Sequence, residues 1–427
     1  MQQRKLGYWE SVLCFMHDRL MSTGTIVTMS QIMGRLDRDR FEKAITWLIQ
    51  RHPLLRAVLV AQDDGYYFEI SPNAPVVPIT VLERPDETHW QLVVEQQLLE
   101  SFEVNQPLWR VLLLQSDDPS VRQNEVVFLI HHAIADGLSC VHLNSQCLDI
   151  YQRLVDGEEV KVEPLPLLDS VERILDRAQL PSHREAKSES CQPTPFFYQE
   201  DAALSERRTK NIYRRLEGSE LASFLSACRQ QPYSVNAVLN GIMLSAAAEL
   251  KGGQSDLSLL TPVNLRSYCD PKVSREHVGC YISCVSTEHA GVDVQDSIWE
   301  LAAAYSEQLR GQIANLDQLP VELSREQVAG QSQLLHLDDV ETRRQYPAGF
   351  VVTNKGKVDV PTIYGDLQWQ QYFTTSSRRA GDIVVNLSVT TIEDKMFLCF
   401  SYTEPLLPAD WVERLVDGVI SRCVALV

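Results

Sequence analysis

Two imidazoles stand side by side where an apolar run ends, in the stretch Val126-Val127-Phe128-Leu129-Ile130-His131-His132-Ala133-Ile134-Ala135-Asp136-Gly137. The unperturbed pKa of histidine, about 6.5, suits it to take and return a proton near neutral pH. Successive side chains of an extended chain point to opposite faces. One of His131 and His132 therefore faces a given cavity, and the other supports it. Asp136 places a carboxylate beside them, and Gly137 permits a tight turn or a close backbone approach. General-base chemistry, a structural pair closing a strand, and metal ligation all use such residues. Metal ligation is the weakest of the three, because His131, His132 and Asp136 have no further His, Cys or carboxylate at a helpful spacing. A Gly-x-Ser-x-Gly nucleophile elbow is absent from the chain.

The elements that must position this cluster are legible from periodicity. Residues 25–34 are β-branched and alternating, which predicts a strand. Asp37 caps a predicted helix with Phe41, Ala44, Ile45, Leu48 and Ile49 on its apolar face, ending before Pro53. Strands are expected at 55–61, 66–70, 76–82, 108–114 and 126–130, the last running into His131, with a helix over 86–100. A helix follows Gly137. Residues 156–210 hold five prolines, charged runs and the polar stretch 182–190, with a short helix at 169–178, and read as a crossover between two halves. The second half predicts strands at 211–216, 257–263, 278–286, 349–353, 363–373, 382–390 and 396–402, of which 257–263 and 278–286 are expected to be buried. Its helices are expected at 219–229, 235–250, 293–314 and 323–337, with a closing one after Pro408.

A chain of 427 residues exceeds what one core usually serves, so two domains of roughly 200 residues are the natural division. Lys plus Arg number 39 against 57 Asp plus Glu, a net charge of −18, which argues against nucleic acid or an anionic membrane as main partner. Ten cysteines are too few for a disulfide scaffold, and no Cys-x-x-Cys occurs. Reduced thiols and a cytoplasmic protein are expected. No apolar run long enough for a membrane span and no signal-like N-terminal segment is visible.

The motif His131-His132-Ala133-Ile134-Ala135-Asp136-Gly137 resembles the His-His-x-x-x-Asp-Gly signature of the chloramphenicol-acetyltransferase-like and condensation-domain superfamily. Arg51-His52-Pro53-Leu54-Leu55-Arg56, Pro107-Leu108-Trp109-Arg110, Pro262-Val263-Asn264-Leu265-Arg266 with Val278-Gly279, and Thr353-Asn354-Lys355-Gly356 resemble further segments of its condensation-like branches, in order over residues 8–420. The pattern is closest to the polyketide-associated, phthiocerol-transferase-like acyltransferases. The Asp-Phe-Gly-Trp-Gly of the plant-type branch has no match, the nearest stretch being Tyr364-Gly365-Asp366-Leu367-Gln368-Trp369.

The resemblance implies an α/β fold of two lobes of mixed sheet and helices around a central tunnel. The expected lobes are 1–160, carrying the motif, and 211–427, joined by a crossover at 161–210. His132 would be the general base, with His131, Asp136, Gly137 and Arg266 supporting the motif. Asp136 would turn from the tunnel and pair with Arg266 rather than relay protons. Backbone N–H groups near Gly137 are candidate oxyanion donors. His52 and Arg56 are expected to be helix-end structure, and His142 an ordinary helix residue.

The implied activity is acyl transfer from a thioester to an alcohol, with no acyl-enzyme and no tightly bound cofactor. Coenzyme A or phosphopantetheine carries the co-substrate, the donor being free or on an acyl carrier protein, and a small-molecule alcohol or amine is the acceptor. Amide formation by a stand-alone condensation enzyme, or a non-catalytic docking module of the same fold, are the alternatives. The basic pairs 207–208, 214–215, 343–344 and 378–379 offer places for a coenzyme A phosphate or an acidic carrier.

Overall fold

The computed structural model describes residues 2–72, 79–103, 105–182, 191–324, 326–327 and 339–426. Most of the helix expected at 323–337, and the beginning of the strand expected at 76–82, lie outside the described residues.

The chain opens with β1 (Gln2–Lys5) and α1 (Tyr8–Arg19), followed by β2 (Ile26–Met33) and α2 (Arg38–Arg51). Asp37 caps α2 by accepting from the Arg40 N–H at 2.9 Å. Next come β3 (Ala57–Gln62), β4 (Gly65–Ile70), β5 (Ile79–Glu83), α3 (His89–Gln97), β6 (Trp109–Gln115) and β7 (Gln123–Ile130). The motif helix α4 (Gly137–Val155) closes the first half. Before β8 begins at Arg208, the crossover holds a four-residue helix, α5 (Val171–Ile174), and a single 3-10 turn among its described residues.

The second half runs β8 (Arg208–Glu217), α6 (Gly218–Arg229), α7 (Val235–Lys251), β9 (Ser255–Asn264), β10 (Ile282–Val292) and α8 (Ile298–Ala314). After it come β11 (Phe350–Val358), β12 (Ile363–Tyr364), β13 (Leu367–Ser376), β14 (Asn386–Ile392), β15 (Lys395–Glu404) and α9 (Ala409–Ala425).

These strands form a small sheet β1-β4-β3 and two six-stranded mixed sheets, β12-β13-β2-β7-β6-β5 and β10-β9-β11-β14-β15-β8. In the first, β7 lies between β2 and β6, with Ile130 opposite both Ile26 and Trp109. A strand paired on both edges and covered on both faces reads as a continuous apolar run, as 126–130 does. Its core packs Phe41, Leu48, Leu143 and Leu148 of α2 and α4 against Phe128 and its neighbours. The second sheet buries Val238, Ile242 and Leu415 of α7 and α9 against Leu387 and Phe400. Strands β12 and β13, residues 363–376, come from the second half of the chain yet belong to the first sheet, β13 pairing with β2 and β12 with β13.

Several elements differ from the sequence expectation for identifiable reasons. Helix α1 has no clean apolar stripe because it is used on two sides: Val12, Cys14 and Phe15 are buried, while Trp9, Leu13 and Met16 line a cavity. The run 257–263 is not buried on both faces. It alternates, Leu257, Leu259 and Val263 going to the core and Leu260 and Pro262 to the cavity. The strand expected from 278 starts at Ile282, because the backbone at Gly279 and Tyr281 bonds to the motif loop instead. The strand expected over 363–373 is a hairpin that turns at Gly365, whose φ of +57° favours glycine.

Candidate active site

A cavity of about 480 Å³ lies between the two large sheets. Its walls come from α1 (Trp9, Leu13, Met16), β2 (Ile26), the motif loop (His132, Asp136, Gly137, Leu138) and the inward rows of β9, β10, β11, β13 and β14. Most strand residues that face it fall at every second position, as in a pleated strand: Leu260 and Pro262, Ile282 and Cys284, Val351 and Thr353, Thr374 and Ser376, Asn386 and Ser388; Thr375 and, beside the irregularity in β11, Asn354 also reach it.

The two histidines lie just past β7, His131 extended and His132 opening a 3-10 turn (His132–Ile134), and this turn sends their rings apart. His131 is buried against the His17 ring, centroids 4.5 Å apart, and against Phe102 at 6.0 Å. Its Nδ1 accepts the Ala133 N–H at 3.1 Å, which helps shape the turn after β7. Burial first, and then the neighbouring imidazoles, hold its pKa well below the ordinary value. His132 goes the other way and lines the cavity. Its Nδ1 is buried and makes no hydrogen bond, so Nε2 is the nitrogen presented to the space. Burial lowers the ring's pKa and the charge of Arg378 adds to this; backbone carbonyl oxygens and Asp136 oppose it. The ring is therefore neutral, and able to accept a proton, at neutral pH.

Asp136 makes no hydrogen bond to either imidazole among the described residues. Arg266 grips it with both terminal nitrogens, Nη1 to Oδ2 at 2.6 Å and Nη2 to Oδ1 at 3.0 Å. The Ser139 N–H donates to Oδ1 at 2.8 Å, capping α4, and the Tyr281 N–H donates to Oδ2 at 3.0 Å. Burial alone would raise the Asp136 pKa, but the Arg266 charge and these donors outweigh it and hold the carboxyl below its usual range. The Ser139 hydroxyl donates to the Gly279 carbonyl at 3.0 Å and accepts from Arg266 Nη2 at 2.8 Å. One buried carboxylate thus ties the motif loop to Arg266 and to the turn before β10.

Gly137 needs no left-handed backbone; its requirement is space. A Cβ there would lie 2.6 Å from Cε of Lys355, whose stem runs along it. Lys355 had no role assigned from the sequence. In the structure it lines the cavity, as do Trp9, whose Nε1 donates to the Ser283 hydroxyl at 2.6 Å, and Arg378. Arg378 donates to Asp382 at 3.1 Å and to the Ser376 hydroxyl at 2.8 Å. Trp9 belongs to the helix that periodicity does not reveal, and nothing local marks Arg378 from its neighbours.

His52 and Arg56 lie outside the cavity wall and tie down the end of α2. His52 Nε2 is 2.9 Å from Gln146 Oε1, and Arg56 Nη1 donates to the carbonyls of Ile49 and Gln50 at 2.9 and 2.8 Å. His142 lies on α4 and is absent from the cavity wall. The basic pairs have internal partners. Arg207, Arg343 and Arg379 are buried and donate to backbone carbonyls, while Arg214, Arg215 and Arg344 pair with Glu413, Glu217 and Asp201. Arg208 donates to the Ser205 carbonyl. All ten cysteines are free. Among the described residues no helix is long and apolar enough to cross a membrane, and no cluster of three His, Cys, Asp or Glu could hold a metal ion.

Two lobes of mixed sheet enclosing a cavity, with the second histidine of a His-His-x-x-x-Asp-Gly loop at its wall, define a chloramphenicol-acetyltransferase-like architecture. The condensation-domain family model matches residues 16–337, and the chain belongs to that family. It is 27% identical over 173 residues to a linear gramicidin synthase of Brevibacillus parabrevis, a match covering 38% of this chain but only 3% of that protein. The trichothecene 15-O-acetyltransferase TRI3 of Fusarium sporotrichioides superposes with a TM-score of 0.74 at 11% identity, covering 99% of this chain and 95% of that one. Polyketide synthase associated protein 5 of Mycobacterium tuberculosis gives a TM-score of 0.68 at 16% identity, with 98% of each chain covered. Identities this low carry the fold and leave substrates open.

Proposed function

We propose that the protein is an acyltransferase that moves an acyl group from a coenzyme A or carrier-protein thioester to an alcohol, with His132 as general base. The observation that carries this is the His132 ring, neutral and presenting Nε2 to a cavity built by both lobes. In the proposed step Nε2 takes the proton of the acceptor hydroxyl as its oxygen attacks the thioester carbonyl carbon. The tetrahedral oxyanion collapses, the carbon–sulfur bond breaks, and the imidazolium returns its proton to the departing thiolate. Thiolate is a good enough leaving group that no acyl-enzyme is needed. The N–H groups of Gly137 and Leu138, at the cavity wall and the start of α4, are the candidate oxyanion donors.

In this reading Asp136 and Arg266 are architectural, fixing the loop that carries His132, and His131 supports the turn. The lobes are assigned to 1–160 and 211–427 with a crossover at 161–210, β12 and β13 reaching back into the first sheet. The two reactants would enter a through-passage from opposite mouths.

Thiol release from acyl-coenzyme A or acyl carrier protein in the presence of candidate alcohols tests the assignment. Turnover should fall by about a hundredfold or more in His132→Ala. Binding of both reactants without thiol release, unchanged by that substitution, would instead identify a docking module. Mass spectrometry of the product distinguishes ester from amide.

A further inference from the structure

Three cationic side chains line the cavity, and only two have a carboxylate among the described residues. Arg266 holds Asp136 and Arg378 holds Asp382. Lys355 has neither. It lies on β11 just past Val351 and Thr353, where the pairing with β14 is irregular, and its side chain lines the cavity. Its Nζ donates to the Ser388 hydroxyl at 2.7 Å. An ammonium has three donors, so two remain without a partner among the described residues. The groups facing it do not neutralise it: Cys140 on α4 and Cys399 on β15 are held in the thiol form by burial, and Asp136 is committed to Arg266. Burial lowers the Lys355 pKa to about 8, which leaves most of the charge in place at neutral pH. Holding a partly desolvated cation without an anion is costly, and a bound anion relieves that cost.

The cavity lining is mixed: Thr353, Asn386, Ser388, Thr374 and Ser376 are polar, whereas Leu13, Met16, Leu260, Pro262 and Ile282 are apolar. A reactant with a hydrocarbon part and one anionic group suits such a lining better than a wholly apolar one.

We propose that Lys355 recognises a carboxylate carried by one of the two reactants, making a carboxylate-bearing alcohol, such as a hydroxy acid, the preferred acceptor class. The inference rests on the acyltransferase reading for its turnover assay, but the recognition itself can be measured without turnover. The same chemistry could come from the donor, as the free carboxylate of a dicarboxylic acid monothioester, so the experiment has two arms.

In the first arm hydroxydecanoate is compared with hydroxydecanamide as acceptor. In the second, succinyl-coenzyme A is compared with butyryl-coenzyme A as donor. The quantity read is the ratio of kcat/KM for the charged over the neutral member, in the wild type, Lys355→Met and Lys355→Arg, each checked by thermal melting. A lost charge-assisted hydrogen bond corresponds to about a tenfold to hundredfold change. The wild type should favour the charged member in at least one arm by that factor, mainly through KM. Lys355→Met should bring the ratio near unity, and Lys355→Arg should keep most of it.

Calorimetric titration of the same four compounds into His132→Ala protein reads the preference in binding alone. It therefore still decides the matter if turnover fails or Lys355→Met does not fold. A wild-type ratio near unity in both arms, an unchanged ratio in Lys355→Met, or equal affinities for charged and neutral members would overturn the proposal. The acyltransferase reading would survive any of these if thiol release still depended on His132.

Discussion

An imidazole whose Nδ1 is enclosed can exchange protons with a substrate only through Nε2, and at His132 that nitrogen meets the cavity. Burial, reinforced by Arg378, lowers the pKa of the ring. The sign for activity follows: a base fails when protonated, so the rate falls as pH drops through the lowered value and not before. The expected profile of kcat/KM is level around neutrality, with an acid limb centred below the ordinary histidine value of about 6.5. An inflection at or above that value would contradict the assignment. Because the Arg378 charge depresses the ring, Arg378→Gln should move the inflection upward, which the same titration reads.

At the scale of elements, the critical device is the clasp between the motif loop, Arg266 and the turn before β10. Arg266→Met leaves the Asp136 carboxylate buried without its cation, and breaking such a pair costs on the order of 3–5 kcal/mol. Urea unfolding should show that loss near neutral pH. Asp136 has a folded pKa below its unfolded value of about 3.9. Its contribution is therefore present above the unfolded value and disappears as pH falls through the folded one. The gap between wild type and Arg266→Met should narrow correspondingly in acid. Asp136→Asn should mainly disturb folding or loop geometry. A mutant fully folded and with His132 undisturbed, yet inactive, would show that Asp136 takes part in the chemistry.

For the whole molecule, the cavity is a joint product of two sheets, so its depth depends on residues far apart in sequence. Cys284 lies on the inward row of β10. Cys284→Trp would place an indole in the space, and each excluded methylene of a long acyl chain is worth about 1 kcal/mol or more. Turnover of decanoyl-coenzyme A should fall at least about tenfold relative to acetyl-coenzyme A. Equal loss for both chain lengths would mean that the acyl chain lies elsewhere.

What local chemistry dictates was readable along the chain. The apolar run of β7 and the Asp37 cap and apolar face of α2 follow from backbone periodicity acting over a few residues. An extended chain predicts the opposite facing of His131 and His132, but a 3-10 turn that opens at His132 produces it. The order of the motifs carried the family, and with it the Asp136–Arg266 partnership across 130 residues. Other features are decided by contacts that sequence spacing does not encode. Helix α1 hides because it serves a core on one side and a cavity on the other. The alternation of β9 emerges only when one face meets open space, and β13 joins the first sheet because an edge of β2 is available to it. The charge of Lys355 is ordinary in sequence. Only the tertiary structure, by committing the nearby Asp136 to Arg266, leaves it lining the cavity with no carboxylate partner among the described residues.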